Sequence, residues 1–332
     1  MASFRLAVCG LVLGAAVIAS CSTDSAEKVD PATKIAATIP IEGTIRQVAV
    51  DPESHSLFVS DFEGLVWVVD TQTDKVTGKI ETGDGAQGLA MDLGSHTLYV
   101  ANYQVGTVSV IDTIDKKVTG TLDAGAHPDR LAFDSGTHTL YASHFGGEDL
   151  TAVDTLTKQV KATIPLGDYT NDLAIDPGSH RLYVANFNTA KLSVIDTQSN
   201  RIDSTIEYGG QPRGVAVAPD TQRLYTANAN GSVTVLDAKT KQSIATMPVG
   251  EEPVHLAIDA AAHAAYVVNN DGLAKENGGD GGPISVIDTD KNASIATVLV
   301  GDSPQAVAID PTSHKVYILV FLTGNVTVLE PA

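Results

Sequence analysis

The sequence predicts an all-β fold, a seven-bladed β-propeller, because two motifs repeat seven times, each repeat contains four strand-like segments, and the two ends of the chain complement each other. The first motif is apolar and ends at positions spaced 41 or 42 residues apart, with one interval of 51, at Asp51, Asp92, Asp134, Asp176, Ala218, Asp259 and Asp310. The second keeps the same register at Asp70, Asp112, Asp154, Asp196, Asp237, Asp288 and Glu330. A repeat of this period is typical of propeller blades.

Each repeat contains four short segments rich in Val, Ile, Leu, Thr and Tyr, separated by Gly, Pro, Asp and Asn. In the first repeat these segments are QVAVDP, SLFVSD, LVWVVDT and KVTGKIE. Such segments are typical of strands, and nothing in the chain keeps a helical period over a useful length. Four strands per repeat predict four-stranded blades rather than a sandwich.

The two ends of the predicted propeller are incomplete repeats. Lys34 to Ile41 resembles a fourth strand without the other three, and the C-terminal NVTVLE is a third strand without its fourth. We therefore expect residues 34–332 to form the propeller, with the N-terminal strand joining the C-terminal blade and removing two exposed edges.

The middle of the first strand is occupied by alanine in every repeat, at Ala49, Ala90, Ala132, Ala174, Ala216, Ala257 and Ala308. Innermost strands of a propeller converge on its axis. At interior packing density there is room for a methyl group, and a larger side chain should overpack the site.

The second strand reads LYVAN at 98–102 and 182–186, LYTAN at 224–228 and AYVVN at 265–269. This resembles the YVTN-family β-propeller repeat, which occurs in exported bacterial proteins and archaeal surface-layer proteins. Departures place Asp61, His144 and Val320 where the other repeats have asparagine. The resemblance implies the fold and leaves the function open.

Residues 1–20 carry one charge, Arg5, and an apolar run too short to span a bilayer, which predicts a signal peptide. The run ends in Ile18-Ala19-Ser20-Cys21, which resembles the lipobox of bacterial lipoproteins. The resemblance implies acylation of Cys21 and an extracytoplasmic protein held on the cell membrane by lipid. The alternative is a free secreted protein. Residues 21–33 are predicted to form a flexible tether.

Charge and cysteine content narrow the range of partners. The chain has 21 Lys plus Arg against 40 Asp plus Glu, a net charge of -19, and removal of Arg5 makes it -20. Without a dense basic cluster, nucleic acid is a poor partner. Since Cys9 lies in the predicted signal peptide and Cys21 would be acylated, no disulfide is expected. The mature protein is separately expected to be a monomer.

The predicted binding site is the mouth of the central channel, on the face reached by the loops from the fourth strand to the next blade and from the second strand to the third. Polar groups beside the aromatic residues Phe145 and Phe187 suggest a small-molecule or partner site there. The candidate ligand-binding residues are Asp61, Asn102, Arg130, His144, Tyr169, Asp172, Asn186, Asn228, His255 and Asn269. The alternative interpretation is that the asparagines cap loops.

Two features resemble metal sites. Six histidines, His55, His96, His138, His180, His263 and His314, occupy one turn position and are interpreted as turn residues, because a sevenfold ring separates them too widely to share an ion. The long loop 269–282 carries Asp271, Glu276, Asn277 and Asp280, so calcium is an option there. Its spacing matches no EF-hand, and a disordered or partner-contacting loop is favoured. No cofactor is expected.

Two hypotheses from different functional classes follow. The first is a non-catalytic binding module at the cell envelope for a protein, peptide or glycan, since no surviving cysteine nucleophile and no G-x-S-x-G motif is present. The second is a metal-assisted, lactonase-like hydrolase that would use Asp61, the asparagines and His144 around a calcium or zinc ion. The repeated asparagines favour the first, because a structural role in each blade would produce the same ring.

Overall fold

A computed structural model describes residues 29–270 and 282–331 of the protein. These residues form seven four-stranded antiparallel sheets, which confirms the predicted propeller. Within the described ranges, no helix is long and apolar enough to cross a membrane.

The blades are built from consecutive strands, with one exception at the closure. Blade one contains β2 (Ile45–Asp51), β3 (Ser56–Asp61), β4 (Leu65–Asp70) and β5 (Lys75–Glu81). Blade two contains β6 (Ala86–Asp92), β7 (Thr97–Asn102), β8 (Thr107–Asp112) and β9 (Lys117–Asp123). Blade three contains β10 (Pro128–Asp134), β11 (Thr139–His144), β12 (Asp149–Asp154) and β13 (Gln159–Pro165). Blade four contains β14 (Thr170–Asp176), β15 (Arg181–Asn186), β16 (Lys191–Asp196) and β17 (Arg201–Glu207).

The remaining blades follow the same order. Blade five contains β18 (Pro212–Ala218), β19 (Arg223–Asn228), β20 (Ser232–Asp237) and β21 (Ser243–Pro248). Blade six contains β22 (Pro253–Asp259), β23 (Ala264–Asn269), β24 (Gly282–Asp288) and β25 (Ala293–Gly301). Blade seven contains β26 (Pro304–Ile309), β27 (Val316–Val320), β28 (Asn325–Pro331) and the N-terminal strand β1 (Ala32–Pro40).

The closure joins the two ends of the chain, as predicted. Strand β1 runs antiparallel to β28, with Ile39 opposite Val326. It begins at Ala32, two residues before the predicted boundary at Lys34. The reason is a contact that the repeat pattern does not contain: the Ala32 N–H donates to the Tyr266 hydroxyl at 2.6 Å, and Ala32 is fully buried against blade six.

The inner alanines have a structural partner. In every blade the residue directly opposite the alanine is aromatic: Phe58, Tyr99, Tyr141, Tyr183, Tyr225, Tyr266 and Tyr317. Directly opposite residues of an antiparallel pair point to the same side of the sheet. Each ring therefore lies beside a methyl group, and the core consists of apolar clusters between neighbouring blades, such as the one where the rings of Tyr99 and Phe133 lie 5.1 Å apart.

The six turn histidines have positive φ angles between 48° and 58°, which confirms their role as turn residues. Gln222 takes the same position in blade five, with φ of 52°. Some of these side chains also reach an aspartate of the preceding blade. His96 Nδ1 lies 3.2 Å from Asp51 Oδ2, and Gln222 Nε2 donates to Asp176 Oδ2 at 3.3 Å. We call the face that carries these turns, where the first strand of each blade ends and the second begins, the opposite face, because it lies across the disc from the predicted channel mouth. Its turns connect neighbouring blades.

Candidate functional site

The other face, called the mouth face, is where the first strand of each blade begins and the second strand ends. In all seven blades the register between these two strands shifts at this end, which marks a β-bulge. Bulges re-aim side chains and often lie next to binding sites. Within or beside the bulges lie Arg46, Gln47, Gln87, Asp129, Arg130, Asn171, Asp172, Arg213 and His255.

Several bulge residues connect neighbouring blades around the axis. Gln87 Nε2 donates to Asp129 Oδ1 at 2.6 Å, from blade two to blade three. Arg130 Nε donates to the Asn171 carbonyl oxygen at 3.3 Å, and Asn171 Nδ2 donates to the Pro212 carbonyl oxygen at 3.3 Å. The inner wall of blades two to five is therefore a continuous polar belt.

Of the predicted site residues, Arg130 and Asp172 act electrostatically on His255. Burial lowers the pKa of His255, while Asp172 raises it and Arg130 lowers it further. His255 Nδ1 accepts the Val307 N–H at 3.3 Å. An accepting Nδ1 together with a lowered pKa assigns a neutral imidazole with its proton on Nε2 at pH 7.

The predicted asparagines lie elsewhere. They are at most 3% exposed, and each carboxamide donates to a hydroxyl of the third strand in its own blade. Asn102 Nδ2, for example, donates to Ser109 Oγ at 2.9 Å, and its Oδ1 accepts the Gly83 N–H at 3.2 Å. The equivalent bonds in the other blades are Asn186 to Ser193, Asn228 to Thr234 and Asn269 to Ser285. These side chains fasten strands and loops within blades and are not brought into the opening.

Asp61 and His144 replace asparagine and make equivalent contacts with different groups. Asp61 accepts the Thr44 N–H at 3.0 Å and the Trp67 Nε1–H at 3.2 Å. His144 Nδ1 donates to the Ala126 carbonyl oxygen at 2.8 Å, and its Nε2 lies 2.9 Å from Thr151 Oγ1. The two predicted metal ligands thus belong to separate blades and each has its own partners.

No group of three or more His, Cys, Asp or Glu side chains that could hold a metal is present among residues 29–270 and 282–331. The predicted oxygen donors Asp271, Glu276, Asn277 and Asp280 lie outside the described residues. Their assignment to calcium stays a prediction.

Aromatic side chains form an arc on the mouth face. The residue directly after the second strand is aromatic in five blades, and with Tyr169 these residues define what we call the aromatic arc: Phe321, Phe62, Tyr103, Phe145, Tyr169 and Phe187. Successive ring centroids lie 5.8 Å apart for Phe62 and Tyr103, 5.9 Å for Tyr103 and Phe145, and 6.2 Å for Phe145 and Tyr169. The Phe145 side chain is 55% exposed. Phe145 is thus the exposed member of the arc, and the other five rings are half-buried.

Two arginines stack on the arc. The Arg46 guanidinium lies 4.7 Å from the Phe62 ring centroid and 5.3 Å from that of Phe321. Burial lowers the pKa of Arg46, while Asp129 and Asp61 raise it, and the guanidinium stays charged. Its Nε is buried and has no hydrogen-bond partner among the described residues. Arg213 lies 5.8 Å from the Phe187 ring.

A shallow cavity of about 390 Å³ opens beside the arc in blade three. It lies between segments 125–127 and 144–147, with Asp149 and Thr151 on its wall. The His127 ring packs on Tyr103 with 4.7 Å between centroids, so the cavity adjoins the aromatic arc. Of the predicted site residues, His144 lines this cavity.

The sequence predicted Arg130, Tyr169, Asp172 and His255 as site residues. Other side chains of the mouth face were not predicted. Arg46 and Arg213 lie one residue before the column chosen from the sequence, and Phe62, Tyr103 and Phe321 lie one residue after the asparagine column. The signal was present, because aromatic residues recur after the second strand without being required there in every blade: blades five and six have Ala229 and Asn270.

Comparison with solved structures shows similar propellers. Hydrazine synthase of Kuenenia stuttgartiensis is 20% identical with a TM-score of 0.73, over 87% of this chain and 96% of that chain. The β-propeller domain of Cps50 (Swd1) from Myceliophteria thermophila is 13% identical with a TM-score of 0.76, over 90% of this chain and 100% of that one. No protein-family model matches the chain, and no curated protein matches its sequence. These likenesses define a β-propeller and extend to the fold alone.

Proposed function

We propose that this propeller is a non-catalytic binding module at the cell envelope, and that it binds a protein, peptide or glycan partner through its mouth face. The observation that carries the proposal is the aromatic arc with its stacked arginines. Aromatic rings beside arginine are the composition of interaction hot spots. Phe145 is the exposed member of the arc, and the other rings are half-buried.

The other support comes from how little of this surface the fold uses. The asparagines beneath the arc repeat and are buried, whereas the ring positions above them vary from blade to blade. Phe145 contacts two neighbouring rings and still exposes more than half of its side chain. A residue that contributes little to the core is free to serve recognition.

The proposed lipid anchor fits this orientation. Ala32 pairs with Pro331 on the opposite face, and Pro40 pairs with Asn325 towards the mouth face, so β1 enters the propeller from the opposite face. Ten residues, 22–31, separate Cys21 from β1. Fully extended, they reach about 35 Å. Acylation of Cys21 after removal of residues 1–20 would hold the opposite face towards the lipid and direct the mouth face to the partner.

The binding proposal is tested by affinity capture from envelope extract. The double variant Phe62→Ala with Phe145→Ala should lose the partner that the unmodified protein recovers. The matched control is Leu156→Ala, because Leu156 is 70% exposed and lies in a turn of the opposite face. Equal recovery by the double variant and the unmodified protein would contradict a role for the mouth face.

The anchor is tested separately, by incorporation of a labelled fatty acid in cells. The unmodified protein should carry the label and sediment with membranes, and Cys21→Ala should do neither. Label retained by Cys21→Ala would show that Cys21 is not the acylated residue and would remove the proposed anchor.

The hydrolase hypothesis receives no comparable support. Its residues are each engaged within one blade, Asp61 with Thr44 and Trp67, and His144 with Ala126 and Thr151. We therefore propose no hydrolytic centre at these positions. Metal analysis of protein purified without chelator, together with a lactone turnover assay, would revive the hypothesis if both gave a positive result.

A further inference from the structure

We infer that the mouth face binds a polypeptide segment that carries a carboxylate between apolar residues, with lysine or arginine on both sides. This inference rests on the proposed binding function and specifies the partner's chemistry. It follows from two features of this face: an acidic rim, and two central arginines, Arg46 and Arg130, whose neighbouring carboxylates Asp61, Asp129 and Asp172 accept hydrogen bonds from other groups.

Two arginines, Arg46 and Arg130, lie at the centre of the mouth face. Arg46 Nε is buried and has no hydrogen-bond partner among the described residues, so Arg46 can reach a ligand only through its outer nitrogens. The Arg130 guanidinium bonds to a described residue through Nε alone, which leaves its outer nitrogens available. Guanidinium groups held in place by stacking bind carboxylates through paired, charge-assisted hydrogen bonds. The centre of the mouth is therefore ready for one carboxylate.

The rings of the aromatic arc would lie beside that carboxylate. Four of the six members of the aromatic arc are phenylalanines, which cannot hydrogen-bond to sugar hydroxyls. Phenylalanine rings instead pack against apolar side chains and attract cations to their faces. The phenylalanines of the arc therefore fit the apolar and cationic side chains of a polypeptide.

The loops around the mouth form its rim, and this rim carries acidic side chains. Exposed acidic side chains surround the mouth at Glu42, Asp84, Asp123, Glu251 and Asp302. Two further exposed acids, Glu207 and Glu252, are paired with Lys191 and Arg213. The seven loops from a fourth strand to the next blade, and the six fully described loops from a second to a third strand, contain no lysine or arginine. An acidic rim selects basic flanks, repels a polyanion and accelerates association with a complementary partner.

The direct test is calorimetric titration of the protein with short acetylated and amidated peptides. The reference peptide has one aspartate between two phenylalanines and lysines at both ends, and variants replace aspartate by asparagine or lysine by glutamate. We expect the asparagine peptide to bind roughly tenfold to a hundredfold more weakly. The glutamate-flanked peptide should bind least, and salt should weaken the reference peptide.

Matched protein variants locate the effect. Arg46→Gln should reduce the difference between the aspartate and asparagine peptides, and Arg46→Gln with Arg130→Gln should abolish it, whereas Arg201→Gln, an exposed arginine of the opposite face, should preserve it. This is a double-mutant cycle, so a general loss of folding cannot imitate it. Equal binding of the two peptides to the unmodified protein would overturn the carboxylate assignment.

The rim is tested with equal changes of net charge on the two faces. Glu251→Gln with Asp302→Asn should weaken the lysine-flanked peptide and reduce its salt dependence. Asp203→Asn with Asp220→Asn, two exposed residues of the opposite face, should have a smaller effect. Equal effects of the two double variants would show that the rim does not recognise basic flanks.

The outcomes separate this inference from the binding proposal. If the Phe62→Ala with Phe145→Ala variant loses its envelope partner while no peptide binds, the mouth face is a binding face and the polypeptide inference is wrong. Binding of a glucuronate oligosaccharide in place of the peptides would also overturn it. If that variant keeps its partner and no peptide binds, both proposals fail.

Discussion

The two faces of the propeller use polar residues in different ways. On the opposite face the same groups recur: the aspartates after the third strands accept backbone N–H groups two or three residues later, as Asp70 does from Gln72 and Thr73. Asp51 accepts hydrogen bonds from Thr113 and His96 of the next blade. On the mouth face the bulge residues differ between blades, and Arg46 keeps an unpaired donor. Repeated groups are used by the fold, whereas the variable groups include both bonds between neighbouring blades, such as Gln87 to Asp129, and the donors left available for binding.

The largest expected effect is loss of stability from the opposite face. Asp51→Ala should lower the free energy of unfolding by about 2 kcal/mol, because Thr113 Oγ1 and the backbone N–H groups of Glu53 and Ser54 lose their acceptor. Denaturant unfolding measures it. Arg46→Gln on the mouth face is the comparison and should cost less, about 0.5 to 1 kcal/mol, because the guanidinium loses its contacts with the Phe62 and Phe321 rings. Equal losses of unfolding free energy in the two variants would contradict the distinction between the faces.

A smaller loss is expected for the buried asparagines beneath the mouth. Asn102→Ala should cost about 1 to 2 kcal/mol, since Ser109 loses a donor and the Gly83 N–H loses its acceptor. Unfolding and partner capture should be measured on the same preparation. Capture should be unchanged, and a loss of capture by a stable Asn102→Ala protein would place this side chain in the binding site after all.

Phe145→Ala should hardly change stability, by less than about 0.5 kcal/mol, because the side chain is mostly exposed. Its effect should appear in binding, where removal of a central aromatic residue commonly weakens affinity tenfold or more. Thermal unfolding measures the change in stability, and titration with the partner measures the change in affinity. A large drop in melting temperature with normal affinity would reverse the roles assigned here.

The smallest expected effect is a pH dependence on the opposite face. The hydrogen bond to Asp51 raises the pKa of His96 above 6.5. Burial alone would raise the pKa of Asp51, but hydrogen bonds from Thr113, His96 and Ser54 together hold it below 3.8. The His96 contribution is complete below pH 6.5 and is lost as the pH rises through its folded pKa. That of Asp51 is present above pH 3.8 and is lost at lower pH.

The bond between His96 and Asp51 should therefore stabilise most between these limits and weaken slightly towards pH 8. The variant His96→Gln should remove the alkaline part of this dependence, since Gln222 makes the same contact to Asp176 without titrating. Melting temperatures between pH 6 and pH 8 provide the measurement. An identical slope for both proteins would show that the bond does not contribute.

The fold could be predicted from sequence because each blade repeats the same apolar positions, turn residues and inner alanine. Closure followed from the incomplete repeats at the two ends. The start of β1 differed by two residues, because the bond from Ala32 to Tyr266 occurs once in the molecule and leaves no repeated signal.

The site was predicted only in part, for a geometric reason. Alternation along a strand tells which residues share a face, but a bulge at the start of every first strand changes that alternation where the site lies. Arg130 was found and Arg46 was not, although both lie in bulges. Whether Asn102 points to the channel or to its own third strand depends on the pairing, which the sequence does not specify.

The proposed function requires that the partner contacts the mouth face and not the opposite face. A photo-crosslinking amino acid placed at Phe145 or at Leu156 in the full chain, followed by irradiation of living cells, tests it directly. Both side chains are apolar and more than half exposed, so reactivity is matched. The account predicts a covalent adduct from position 145 and none from position 156. An adduct from position 156 alone would contradict it.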